Sequence, residues 1–170
     1  MGKGLASETA VRPAILTSIL SRFQTIRHRF EEVWHTERTI LAVTPFAPER
    51  RTLHLFSLEQ SWHISYAGTL CSAIELSKHR APTVILYDRN TPGVDWTKAA
   101  SVLTRVSGPV CFILLSETMD ARLWRAVLEH GGYDVARKPL ERNILVPLVN
   151  GACRLSGSID CVEALSHYVV

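Results

Sequence analysis

Short apolar runs alternate with longer amphipathic stretches along the middle of the chain. The apolar runs predict five strands, at 39–44, 62–67, 84–87, 110–115 and 133–137. The amphipathic stretches predict five helices, at about 48–60, 71–79, 95–106, 119–130 and 141–155. Because parallel neighbours require a crossover connection, this alternation predicts a doubly wound α/β fold with helices on both faces of a five-stranded parallel sheet.

Two flanking segments depart from this pattern. Residues 1–38 carry apolar residues at alternating steps of three and four from Leu16 to Val33, which predicts an extra N-terminal amphipathic helix. Its own domain, a twin chain, a partner helix or a membrane surface could each bury that stripe. Residues 156–170 fit either a short helix over 159–167 or a frayed end. The predicted organisation is therefore a helix over 1–38, a domain over 39–155 and a tail over 156–170.

Composition narrows the class of protein. A chain of 170 residues that is 46% hydrophobic and 21% charged can fill the core of one domain. The longest apolar runs are far below the roughly 18 residues of a membrane span. We see no secretory leader, so we expect a cytoplasmic protein with no membrane partner. A net charge of +3 does not by itself indicate nucleic-acid binding, and the four cysteines lack metal or redox spacing.

Polar residues close several of the predicted strands. Asp88 follows the third strand, Ser116 the fourth and Lys138 the fifth. Since the carboxyl ends of parallel strands meet at one edge of a sheet, a carboxylate, a hydroxyl and an ammonium would face one crevice. Phosphoryl chemistry uses groups of these kinds.

On these residues the chain resembles the receiver domain of bacterial two-component response regulators, over about 38–155. The segment 82–95, with Asp88 ahead of a Pro-Gly turn, is similar to the third strand and phospho-accepting aspartate of the family. The ends of the fourth and fifth strands are similar too, and the Lys-Pro peptide of the family is often cis. The resemblance implies a flavodoxin-like strand order, 2-1-3-4-5. It also implies Asp88 as the phosphoacceptor position, with Ser116 and Lys138 as contacts of the phosphoryl oxygens.

The end of the first strand departs from the family. Where the resemblance implies two acidic residues that hold magnesium, this chain has Thr44 and Pro45. Asp88 and the carbonyl of Asn90 would be the remaining protein ligands, whereas Mg²⁺ favours several oxygen ligands with carboxylate charge. We therefore expect no cofactor, weak or absent magnesium binding, and weak or no phosphorylation of Asp88.

Three interpretations of Asp88 remain open at this point: a turn residue, a structural anion paired with Lys138, or a working phosphoacceptor. Ser116 could equally cap the helix that follows it. Lys138-Pro139 could be only a strand-ending turn.

We expect a single-domain pseudo-receiver, not an enzyme, that acts through protein contacts in a two-component phosphorelay. A histidine kinase or a downstream regulator would be its partner, and the N-terminal helix would support a homodimer. One alternative is a nucleic-acid-binding regulator that uses the basic part of that helix, although residues 1–38 show no helix-turn-helix pair. A second is an enzyme on this scaffold, but no base–nucleophile pair or phosphate-binding loop is evident.

Overall fold

The computed structural model describes the backbone of residues 38–166 and the side chains of residues 38–156. In chain order the elements are β1 (Thr39–Val43), α1 (Ala47–Gln60), β2 (His63–Ala67), α2 (Leu70–His79), β3 (Val84–Asp88), α3 (Trp96–Ser107), β4 (Cys111–Ser116), α4 (Ala121–Glu129), β5 (Asp134–Arg137) and α5 (Arg142–Ser166). The predicted N-terminal helix, the homodimer through it and the nucleic-acid alternative all concern residues outside the described ones.

The five strands form one parallel sheet in the order β2-β1-β3-β4-β5. This confirms the predicted doubly wound fold and its strand order. Across the sheet, Asp88 lies beside Leu115 and Ser116 lies beside Arg137. The strands that carry the candidate site residues therefore end side by side.

Helices cover both faces of the sheet and define two core layers. Helices α1 and α5 pack on one face, and α2, α3 and α4 pack on the other. Strand β3 shows the division, because Val84 and Leu86 enter the first layer while Ile85 and Tyr87 enter the second. A strand that is buried on both faces is apolar throughout, which explains the unbroken apolar runs in the sequence.

Helix α4 has clear signals at both ends. The carboxylate of Asp120 accepts a hydrogen bond from the Leu123 backbone N–H at 2.7 Å and so caps the helix. Ser116 is therefore not its cap, in contrast to one interpretation of the sequence. Gly131 follows with a φ of +78°, and Gly132 leaves no room for a side chain against Val127.

Helix α5 continues beyond residue 155, where the sequence analysis placed the end of the domain. It runs from Arg142 to Ser166 with Pro147 inside it. At its middle, the Asn150 side chain accepts hydrogen bonds from Arg38 and from the Trp62 indole at 3.2 Å each, and donates to Gln60 at 3.3 Å. None of the described helices is long and apolar enough to cross a membrane.

Candidate functional site

Asp88 is the last residue of β3 and is fully buried. Its Oδ1 accepts hydrogen bonds from Lys138 Nζ at 3.2 Å and from the Asn90 backbone N–H at 2.9 Å. Its Oδ2 accepts from Lys138 Nζ at 3.0 Å and from Thr44 Oγ1 at 3.3 Å. A buried carboxylate needs such partners because burial otherwise penalises its charge strongly.

Lys138 follows β5 and is 8% exposed. Its backbone N–H donates to the Ser116 carbonyl at 2.8 Å, and its peptide bond to Pro139 is cis. Besides Asp88, the ammonium lies 3.4 Å from Glu49 Oε1 and 3.9 Å from Glu117 Oε1. Burial lowers the pKa of Lys138, but the hydrogen bonds and charges of Asp88 and Glu49 outweigh that effect and raise the pKa above its usual value.

Ser116 ends β4 at the same edge of the sheet and is buried. Its hydroxyl accepts a hydrogen bond from the Thr118 backbone N–H at 3.3 Å. The structure thus brings Asp88, Ser116 and Lys138 together at the carboxyl end of the sheet. Their assigned roles toward a phosphoryl group remain predictions.

Thr44 joins the end of β1 to the start of α1. Its hydroxyl, besides donating to Asp88, accepts from the Phe46 backbone N–H at 3.3 Å. Its carbonyl accepts from Arg50 Nε at 2.7 Å. Thr44 is fully buried and Pro45 is exposed. At the position where the resemblance implies a magnesium carboxylate, this chain therefore presents a hydrogen-bond donor.

The loops after β3 and β4 are tied to each other above the site. The Asn90 side chain donates to Glu117 Oε1 at 3.2 Å, and Arg89 donates to Thr118 Oγ1 at 3.2 Å. Both bonds involve exposed side chains. They fix the relative position of the two loops that flank Asp88.

Glu49 and Phe46 belong to the site but were missed in the sequence analysis. Glu49 lies in the first turn of α1, its side chain is 18% exposed, and its Oε1 faces Lys138. The Phe46 ring lies beneath the same ammonium, at 5.2 Å from its centroid. A signal was available, because a helix that follows a parallel strand begins at the carboxyl edge and a glutamate in its first turn stays there.

The donor set around Asp88 does not fit a divalent cation. Each carboxylate oxygen already accepts two hydrogen bonds, including one from the Lys138 ammonium. Mg²⁺ would need those oxygens, together with further oxygen ligands in a near-octahedral shell. The part of the chain that the structure describes contains no group of three or more His, Cys, Asp or Glu residues that could hold a metal ion.

No protein-family model and no curated protein matches the chain. Solved structures do match it. A two-component response regulator from Clostridium difficile is 20% identical, with a TM-score of 0.63, over 68% of this chain and 95% of that one. The beryllofluoride-activated NtrC4 receiver domain is 18% identical, with a TM-score of 0.65, over 70% of this chain and 98% of that one. The chain has the receiver-domain fold.

A third match extends the range of sequences with this fold. A CheY-like receiver domain protein from Methanospirillum hungatei is only 12% identical, with a TM-score of 0.65, over 72% of this chain and 98% of that one. Identities this low establish the receiver fold alone. The function of this chain must therefore be argued from its own site.

Proposed function

We propose that this chain is a receiver-like signalling protein of a two-component phosphorelay that acts through protein–protein contacts. In this proposal the magnesium-dependent phosphorylation of Asp88 is weak or absent, and the protein is not an enzyme. Its partner would be a histidine kinase or a downstream regulator, and it would act in the cytoplasm. A conformation set by that partner would take the place of one set by a phosphoryl group.

The observation that carries the proposal is the hydrogen bond from Thr44 Oγ1 to Asp88 Oδ2, at 3.3 Å. A carboxylate at position 44 would repel Asp88 and attract a cation, whereas a hydroxyl donor stabilises the Asp88 anion without one. Lys138 adds the only positive charge among the groups described in contact with Asp88. Transfer to a carboxylate whose oxygens accept four hydrogen bonds requires some of those bonds to break first.

The test is incubation with acetyl phosphate and Mg²⁺, followed by intact-mass measurement. We expect the mass to stay unchanged under conditions in which a receiver domain with an acidic pair gains one phosphate. Asp88→Asn serves as the site-specific control, and Asp95→Asn, which changes an exposed aspartate outside the site, serves as the matched one. A stoichiometric gain of one phosphate that only Asp88→Asn abolishes would overturn the proposal.

A further inference from the structure

Glu49 has one carboxylate oxygen in the site that accepts no hydrogen bond from the described residues. Its Oε1 lies 3.4 Å from Lys138 Nζ, and its Oε2 is buried without a hydrogen-bond partner among the residues that the structure describes. A buried oxygen with no donor is costly, so its retention calls for an explanation. Since the Lys138 ammonium lies against the other oxygen of Glu49, Glu49 can accept more from Lys138 than it does in this state.

The geometry favours exchange of the ammonium between two carboxylates. Lys138 Nζ lies 3.0 Å from Asp88 Oδ2 and 3.4 Å from Glu49 Oε1, so a small rotation of its side chain would reverse the preference. A lysine has three N–H donors on a flexible four-carbon stem, which makes such a rotation easy. The third carboxylate, Glu117, lies at 3.9 Å and is 70% exposed, so it is a weaker competitor.

We propose that Glu49 is the reserve counter-ion of Lys138. When the charge of Asp88 is neutralised, the Lys138 ammonium shifts to Glu49. The second oxygen of Glu49 then accepts a hydrogen bond, and Lys138 stays buried beside a carboxylate. Glu49 is thus a positioning residue that acts through Lys138. This inference rests on the proposed function, because it gives the Lys138 ammonium, held between Asp88 and Glu49, the charge-neutralising role that a bound divalent cation would otherwise have.

The test is a double-mutant cycle of Glu49→Gln and Asp88→Asn, read by urea unfolding. Each single variant keeps one carboxylate beside Lys138, so we expect the unfolding constant to rise by about tenfold or less. The double variant leaves the buried ammonium with only the exposed Glu117. We expect the unfolding constant of the double variant to be at least about tenfold higher than the two single effects combined would give. Additive effects would overturn the inference.

A second readout separates positioning from simple packing. The ¹³Cε resonance of Lys138, assigned with Lys138→Arg, reports the protonation of its ammonium during an alkaline titration. We expect Glu49→Gln to lower the pKa of Lys138, because one of the two carboxylates that raise it is gone. An unchanged pKa would overturn the inference even if the double variant did not fold.

The matched control is Glu59→Gln, in the same helix. Glu59 pairs with Arg142 at 2.6 Å, and both side chains are about half exposed. We expect this variant to change neither the stability nor the titration of Lys138. Failure of the proposed function and failure of the role of Glu49 remain distinguishable. Phosphate uptake by Asp88 would overturn the proposed function without affecting the double-mutant cycle. Additive effects in the cycle would overturn the role of Glu49 whatever the mass spectrum shows.

Discussion

The two halves of the site are built on different principles. The half contributed by β3, β4 and β5 brings Asp88, Ser116 and Lys138 to the carboxyl edge of the sheet. The half contributed by β1 and α1 has a hydroxyl at Thr44 and a glutamate at Glu49 instead of a pair of acids at the end of the strand. One half holds a carboxylate and an ammonium in contact, and the other surrounds them with a hydroxyl donor and a second carboxylate.

This difference shows which interaction holds the site together. In the first half the Asp88–Lys138 pair is almost completely buried, with side-chain exposures of 0% and 6%. In the second half the groups from α1 close around that pair from outside. The ammonium therefore supplies positive charge at this edge of the sheet, and the residues of β1 and α1 are arranged around it.

The largest effect is expected when the first half loses its cation. Lys138→Met would leave Asp88 and the mostly buried Glu49 without their ammonium, which should destabilise the fold by about 3–5 kcal/mol. Urea unfolding at pH 7 measures this loss.

The control for that variant is Lys78→Met, which removes an ammonium paired with Glu75 at 2.7 Å on the exposed face of α2. We expect no measurable change there. Equal effects of the two variants would mean that the buried pair contributes no more than an exposed one, and the distinction between the halves would not hold.

An intermediate effect is expected when the second half receives the acids it lacks. Thr44→Asp combined with Pro45→Asp would remove a donor to Asp88 and add a repelling charge, at a cost of about 2 kcal/mol. A cation should then bind, and Mg²⁺ at about 100 times its Kd would raise the free energy of unfolding by about 2.7 kcal/mol.

Thermal unfolding with MgCl₂, against KCl of equal ionic strength, tests this expectation. The original chain should respond equally to both salts. A double-aspartate variant that also ignores Mg²⁺ would show that more than these two residues distinguishes the second half from a cation site.

The smallest effect is expected in alkaline solution. Burial raises the pKa of Tyr87, and Asp88 and Glu49 raise that of Lys138 against the opposing effect of burial. Groups that hold their protons more tightly when folded contribute stability below their ordinary values of 10.0 and 10.5 and lose it as the pH rises through the folded values.

The thiols of Cys111 and Cys153, whose pKa burial also raises from 9.0, act in the same way, so stability should be level near neutrality and fall above about pH 9. The free energy of unfolding of the original chain and of Lys138→Met, measured from pH 7 to 11, should show a shallower decline in the variant. Identical slopes would mean that Lys138 does not contribute to the decline.

The sequence was most informative about the strands. All five were predicted to within one residue at each end, and β1, β3 and β4, which are buried on both faces, are nearly continuous apolar runs. Asp88 and Ser116 proved to be the last strand residues rather than the first loop residues. The apolar run stops one residue before each strand does, because these two last residues are polar and are buried with hydrogen bonds.

The length of α5 was harder to predict. The paired Gly131 and Gly132 end α4, where one glycine adopts a positive φ and the other packs against Val127. Single glycines such as Gly151 lie inside α5. An isolated helical glycine costs only about 1 kcal/mol, so tertiary packing can carry a helix through it. The weak apolar pattern after residue 155 therefore did not mark the end of α5.

Glu49 could not be linked to Lys138 from the sequence, since the two lie far apart along the chain and no local pattern joins them. The topology places both at the carboxyl edge, but only the side-chain geometry shows that their charges meet. The absence of acids at 44 and 45 is visible in the sequence. The Glu49 carboxylate that partly replaces their charge can be recognised only from the structure.

The opposite end of the sheet has a polar contact of a different kind. There the amide of Asn150 joins Arg38, Trp62 and Gln60 through hydrogen bonds that need no titrating acid. The buried Trp62 indole depends on this amide for its acceptor, so loss of one side chain of α5 would leave a donor directly before β2 unpaired inside the protein.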